Sequence, residues 1–363
     1  MFKRKLTIAL GAAALAAGVA ACGSSSSSSS AGGGSASSAA KTSSGSNLPT
    51  VTMMVGGIDK QIYLPYQLAQ NLGFYKKYGV NMQLSTEQTG GVGAETAMAS
   101  GQVDMAGAWY VHTIDFQEKG KNVISVAQLS GAPGEREMCT KGTTITSPAQ
   151  WKGKTVGVTD IGSGTDELTQ YMAHRSGLST SQFNRAAVGA GPTFVAALQN
   201  NRIVCGMTSQ PTAGAVQTKG IGYTAINLAT TSGAQQALGG AYPAAGVLAQ
   251  ASWVSSHQKE TQAVVDALVA TMHWIHTHSA AQIADAMPPA FVSNGLTTKT
   301  DYINELAGDK GQFLPDGMMP ASGPPTVYTI EKFIGNAPHP IKLAGTYTNS
   351  YVIAANKLEG YTK

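Results

Sequence analysis

The feature that most constrains this chain is a glycine-punctuated alternation of strand and helix patterns that occurs twice. Val51–Val55 is a short apolar and β-branched run closed by Gly56 and Gly57, which predicts a buried strand. A helix is predicted from Leu64 to Asn71, with Pro65 in its first turn, where a missing N–H is harmless, and Gly73 as its stop. Phe74–Tyr78 makes one more turn before Gly79, and Val80–Leu84 alternates as a strand. A helix then opens at Thr89–Gly93 and runs to Ser100, ahead of a third strand at Val103–Ala106. The second unit repeats this logic: strand Thr155–Thr159, Gly-Ser loop Asp160–Gly164, helix Thr165–Ser176 and a short strand Ala186–Val188. Helix Pro192–Gln199 and strands Ile203–Thr208 and Val247–Ala251 follow it. Amphipathic helices are predicted over Glu260–Thr277, Thr300–Leu306 and Thr326–Ile334. Strands joined through helices need crossover connections, so the predicted class is α/β, with two lobes that are each a mostly parallel sheet flanked by helices. Ligands in such sheets sit beyond the carboxyl ends of the strands, here facing a cleft between the lobes. The expected division is 49–135 for the first part of lobe 1, 136–252 for lobe 2 and 253–363 for the return to lobe 1, with crossings near 133–138 and near 250.

The N-terminal segment bounds where the protein works. Lys3, Arg4 and Lys5 precede an apolar stretch from Leu6 to Val19 that is too short to span a bilayer comfortably, so residues 1–21 read as a signal peptide. It ends in Val19-Ala20-Ala21-Cys22-Gly23, which resembles a bacterial lipobox and predicts Cys22 as the lipid-bearing first residue of the mature chain. Several acyl chains on one cysteine hold a protein firmly to a membrane. From 22 to 48 the chain is almost entirely Ser, Gly and Ala, a tether with little apolar surface to bury. The expected location is extracytoplasmic, lipid-anchored at the cell surface or in the periplasm.

The roughly 315 residues that follow are enough for two domains of ordinary size. The chain carries 24 Lys and Arg against 20 Asp and Glu, and three of the basic residues belong to the leader. The body is therefore close to neutral, which argues against a nucleic-acid partner. Beyond Cys22 the cysteines are Cys139 and Cys205, both in strand-like runs. In an oxidising compartment an even pair points to a disulfide, with two separately buried thiols as the other arrangement the spacing allows.

Several runs in order carry a family resemblance. They are Tyr63-Leu64-Pro65-Tyr66, Gly73-Phe74-Tyr75-Lys76-Lys77-Tyr78-Gly79-Val80, Ala99-Ser100-Gly101-Gln102-Val103-Asp104, Trp151-Lys152-Gly153-Lys154-Thr155-Val156-Gly157-Val158 and Asn200-Asn201-Arg202-Ile203. Over residues 50–280 the chain resembles the nitrate/sulfonate/taurine/thiamine-precursor family of ABC-importer substrate-binding proteins. The resemblance implies the type II periplasmic-binding fold, a small-molecule ligand between the lobes, an ABC permease as membrane partner, a monomer, and neither a cofactor nor catalysis. A thiamine-pyrimidine synthase shares the family, but the Cys-rich iron-binding motif of that enzyme has no counterpart here. A surface sensor without transport is the remaining class.

Four loops are expected to meet at the cleft. The first offers Asp59, Gln61 and Tyr63; the second is the helix start at Thr89 and Gly91, whose free N–H groups suit an anion. The third carries Trp109 and Tyr110, either as partners of a flat organic ligand or as packing between lobes. The fourth is Gly162-Ser163-Gly164-Thr165, with Gln210 completing the second-lobe wall. No bidentate Arg clamp is evident, which disfavours a small, strongly charged oxyanion. His273, His276 and His278 lack a completing ligand and read as a solvated helix, not a metal set, and Arg136 is expected to pair locally.

Overall fold

A computed structural model describes residues 48–87 and 91–361 of the chain. The leader, Cys22, nearly all of the tether and Thr89 lie outside the described residues. Among the described residues, ten strands form two sheets of five. They are β1 Thr50–Val55, β2 Asn81–Thr86, β3 Met105–Trp109, β4 Val123–Gln128, β5 Glu135–Thr140, β6 Thr155–Val158, β7 Asn184–Ala187, β8 Cys205–Ser209, β9 Gly222–Asn227 and β10 Ala245–Gln250. The first sheet has the order β2-β1-β3-β10-β4 and the second β7-β6-β8-β5-β9. In each, the fourth strand runs against the other four: β10 is antiparallel to β3 and β4, and β5 is antiparallel to β8 and β9.

Those two odd strands are the ones that follow a crossing of the chain. The chain leaves the first sheet after β4, enters the second as β5, and returns after β9 to enter the first as β10. The return therefore precedes Ala245, earlier than the sequence expectation near 250. The two crossing segments are bonded to one another. Gln128 Nε2 donates to Ala244 O at 3.0 Å and Ala245 O at 2.8 Å, and Ser130 Oγ accepts from Ala245 N at 2.9 Å. Cys139 and Cys205 face each other in register across β5 and β8 and are joined by a disulfide.

The helices form where the pattern and the caps agree. Helix Gln258–Thr277 buries Val264, Val265, Leu268, Val269, Met272 and Ile275, a face recurring every three or four residues. That face packs on helices Leu64–Asn71, Phe74–Lys77 and Ser350–Leu358, so the C-terminal helices close over the first sheet. Each such aliphatic side chain contributes about 1.5–3 kcal/mol on burial. Among the described residues no helix is long and apolar enough to cross a membrane.

Candidate functional site

The carboxyl ends of β1, β3 and β6 lead into loops that converge between the sheets. They enclose a cavity of about 20 Å³ lined by Lys60, Tyr63, Glu95, Trp109, Glu135 and Ser163 among others, with room for about one water. The lobes stand closed on each other.

The first wall starts after β1. Lys60 folds back so that its Nζ donates to Gly56 O at 2.9 Å, and the turn uses Gly57 at φ +97°. Glycine is needed there for its positive φ, and a β-carbon would also push the end of the Lys60 side chain, 2.7 Å away at Cε, out of its place. Lys60 lines the cleft, whereas Asp59 is exposed and turned away, a correction to the sequence expectation. Tyr63 is buried in the lining. Gln61 instead ties the lobes: its N–H donates to Gln210 O at 2.9 Å and its Nε2 to Tyr302 O at 3.2 Å.

β3 delivers Trp109 as its last residue, and the indole abuts the start of helix Gly164–Arg175. A β-carbon at Gly164 would sit 2.1 Å from Trp109 Cε3, so residue 164 is glycine because the ring occupies that space. Tyr242 meets the same ring edge-on at 6.0 Å. Tyr110 behaves differently. It is fully buried, its hydroxyl lies 2.5 Å from Thr346 Oγ1 and its ring packs on Tyr347, so it belongs to the core and leaves the list of cleft residues.

The second wall is a loop bonded to itself. Thr159, Ser163 and Thr165 place their hydroxyl oxygens 2.8–3.0 Å apart in a buried triangle. Ser163 caps the helix by accepting from Asp166 N, and Gly162 N–H, at φ +81°, donates to Asp166 Oδ2 at 3.0 Å. The donors expected to await an anion at Gly162 and Ser163 are thus engaged by the loop's own groups. Gln210 is also committed locally, its Oε1 accepting from Gly214 N–H at 2.7 Å.

Charged groups that sequence spacing does not collect complete the site. Glu95 sits in the first turn of helix Val92–Ala99, which Gly91 caps beside the cavity. His112, in helix Val111–Glu118, places Nε2 3.1 Å from Glu95 Oε1 and Nδ1 2.9 Å from Asp115 Oδ2. Burial pushes the Glu95 carboxyl up to about 8 against the pull of His112. Burial alone would lower the His112 imidazole, but Glu95 and Asp115 overcome it and hold it up at about 9. Glu135 opens β5 inside the cavity lining, and burial raises it to about 7 although Lys60 and Arg136 pull it down. Its Oε2 has no hydrogen-bond partner. Arg136 pairs with Asp309, 173 residues on, through two bonds of 2.5 and 2.8 Å, not with a neighbour as the sequence suggested. On the far helix, His276 Nε2 bonds to Phe313 O at 2.9 Å and His278 stacks on Trp274.

The paired five-stranded sheets and the cleft between them are the periplasmic-binding-protein fold. The chain belongs to the NMT1/THI5-like family, whose model matches residues 62–282. A 4-amino-5-hydroxymethyl-2-methylpyrimidine phosphate synthase of Saccharomyces cerevisiae is 31% identical over 144 residues, 37% of this chain and 42% of the relative. The match thus spans less than half the length of that curated relative. A solved structure from Bordetella bronchiseptica RB50 is 26% identical with a TM-score of 0.79, covering 86% of this chain and 98% of that one. The periplasmic nitrate-binding protein NrtA from Synechocystis PCC 6803 has a TM-score of 0.68 at 16% identity, over 86% of this chain and 89% of its own. The alkanesulfonate-binding protein SsuA from Xanthomonas axonopodis pv. citri, bound to MOPS, has a TM-score of 0.63 at 15% identity, over 82% and 98%.

Proposed function

We propose that this protein is a lipid-anchored, extracytoplasmic solute-binding component of an ABC importer, and that its cargo is a flat nitrogenous molecule of the aminopyrimidine kind. The observation that carries the cargo class is the Glu135 carboxyl, buried beside Lys60 and the Trp109 indole with one oxygen unpartnered. An amino group and a ring nitrogen can satisfy such a carboxyl, while the indole covers the ring face. Two buried carboxyls, Glu95 and Glu135, make a poor seat for nitrate or a sulfonate, because burial raises both and an added anion would oppose their ionisation further, and among the described lining residues no Arg offers a bidentate clamp beside Lys60 and His112. The cavity is too small to admit a heterocycle, so capture requires the lobes to part and close again over the solute. The family membership and the pyrimidine named for the curated relatives support the same class.

The deciding experiment is calorimetry of the purified chain with 4-amino-5-hydroxymethyl-2-methylpyrimidine, nitrate and an alkanesulfonate. Saturable binding of the pyrimidine, with a melting temperature raised by about 2.7 kcal/mol of stabilisation at 100 times Kd, is the expected outcome. Binding of nitrate or sulfonate in preference to it would overturn the cargo class. An enzyme on this fold is the second reading, favoured by the names of the curated relatives; release of a pyrimidine product by the chain would establish it. Incorporation of labelled fatty acid that is lost in Cys22→Ala would establish the anchor.

A further inference from the structure

At the back of the cleft, whose lining includes His112, three helices bring carboxyl groups together in a way the proposed solute capture does not use. His112 and Asp115 lie on helix Val111–Glu118 after β3, Glu167 on helix Gly164–Arg175 of the second lobe, and Glu331 on helix Gly323–Ile334, which packs on both. One donor atom from each of His112, Asp115 and Glu167 lies within 4.8 Å of the other two. Glu167 is 2% exposed and Glu331 0%, and Glu167 Oε2 and Glu331 Oε1 have no hydrogen-bond partner. Asn336 Nδ2 donates to their other oxygens, at 3.4 Å to Glu167 and 2.9 Å to Glu331, and so holds both carboxyls toward the same space. The Tyr242 hydroxyl, buried and unpartnered, belongs to the same neighbourhood.

Acceptors facing acceptors out of reach of water need a proton or a cation between them. The arrangement around His112 favours the cation. Nδ1 is hydrogen-bonded to Asp115 Oδ2 at 2.9 Å, while Glu95 Oε1 stands 3.1 Å behind Nε2 as an ion-pair contact, and a carboxylate behind a histidine is the usual support of a metal-bound imidazole. We propose that His112, Asp115 and Glu167 form a divalent transition-metal site that joins the two lobes, with Glu331 as a fourth oxygen donor and Glu95 as the outer support of the histidine. One imidazole with carboxylates suits Zn²⁺, Mn²⁺ or Fe²⁺ better than Mg²⁺ or Ca²⁺, which prefer oxygen alone. Binding displaces into solvent the proton on His112 Nδ1 and those held by the Glu167 and Glu331 carboxyls, and the ion bonds directly to that nitrogen and to the carboxylate oxygens. Because Asp115 and Glu167 come from different lobes, the ion holds the closed state whichever solute the cleft takes.

The test uses the full chain stripped with a chelator and then dialysed against Zn²⁺, with bound metal counted by mass spectrometry. One equivalent per chain is expected, together with a rise in melting temperature. The Asp115→Asn, Glu167→Gln double variant should lose that equivalent, with affinity falling by more than the roughly 10–100-fold typical of losing an outer-shell partner. Glu95→Gln should keep the stoichiometry and weaken affinity by about that 10–100-fold. Co²⁺ should give visible ligand-field bands that vanish in His112→Gln. If the double variant does not fold, Glu167→Gln alone, nearly isosteric, must abolish the Zn²⁺-induced rise in melting temperature. No bound Zn²⁺ in the wild type would overturn the site in favour of a shared proton. Equal uptake by wild type and variants would overturn it in favour of surface histidines such as His276 and His339.

Discussion

The two walls of the cleft are built from the same elements, a strand end running into a helix start, yet they differ in what they leave unsatisfied. The first-lobe wall and the lobe crossing present Lys60, Glu95, Trp109 and Glu135, with one Glu135 oxygen unpartnered. The second-lobe wall presents Thr159, Ser163 and Thr165, whose hydroxyls bond to one another and to their own loop. A wall that is already satisfied can cover a ligand but adds little discrimination, because it loses nothing when the wrong molecule is present. The difference places the unsatisfied groups, and with them the proposed recognition, on the first wall and the crossing, while the second wall meets the indole with a bare glycine.

That contrast can be broken at several points. Trp109→Ala removes the ring both walls share and should cost about 3–5 kcal/mol of stability, as large aromatic truncations do. It should also weaken solute binding on the order of 30-fold, whereas Tyr328→Ala, whose hydroxyl bonds outside the cleft to His339 O, should change binding by less than about 2-fold. Titration calorimetry of the two variants compares them directly, and equal effects would remove Trp109 from the site.

Opening the disulfide with Cys139→Ala and Cys205→Ala frees a 66-residue loop in the second lobe and should lower stability by about 2–4 kcal/mol. Denaturant midpoints measure it, and solute affinity should move far less than stability if recognition resides on the first wall. Gly164→Ala forces a methyl into the indole and should cost about 1–3 kcal/mol, read as a lower melting temperature. In a Trp109→Ala background the same change should cost nothing, and a double-mutant cycle without coupling would show that the ring and the lid do not meet.

Stability should also fall as pH rises. Glu135 is raised to about 7 by burial, Glu137 is raised well above its ordinary value by burial, and Glu305 is raised to about 8 by burial and by Asp301 and Asp309. Each holds a proton in the folded chain that the unfolded chain has already released, so stability present below the unfolded carboxyl value is lost as pH climbs through 7–8. Melting temperatures should be lower at pH 8 than at pH 5, with Glu135 and Glu305 together accounting for a difference on the order of a few kcal/mol. Glu137→Gln should flatten part of that slope. The smallest effect should come from Asp59→Ala, an exposed side chain, with stability and binding within about 0.5 kcal/mol of wild type.

How much of this was legible follows from where the signals lie. β1, β2, β6 and helix Pro192–Gln199 could be read because apolar runs were closed by glycine or opened by proline. β4 and β9 could not. β9 is a half-buried edge strand without clear alternation, and β4 follows a Lys-Gly-Lys turn that marks no period of its own. Trp109 was readable from its place just beyond an expected strand end. Its neighbour Tyr110 was misread because the strand runs to Trp109, three residues past the expected end at Ala106, so that Tyr110 caps the next helix with its ring in the core. The strand before Asp59 ends at Val55 as expected, but the turn through Gly57 exposes Asp59 and buries Lys60, which a strand pattern does not specify.

By itself, then, the sequence determined the class of fold, the two-lobed plan and the strand ends at which a cleft must form, because hydrophobic period and glycine punctuation are local properties of a chain. Only the tertiary structure decided the chemistry of that cleft. Glu95, His112 and Glu135 are unremarkable in their own segments, and they become buried, coupled and in need of partners when strands and helices far apart in the chain remove water from the same few ångströms.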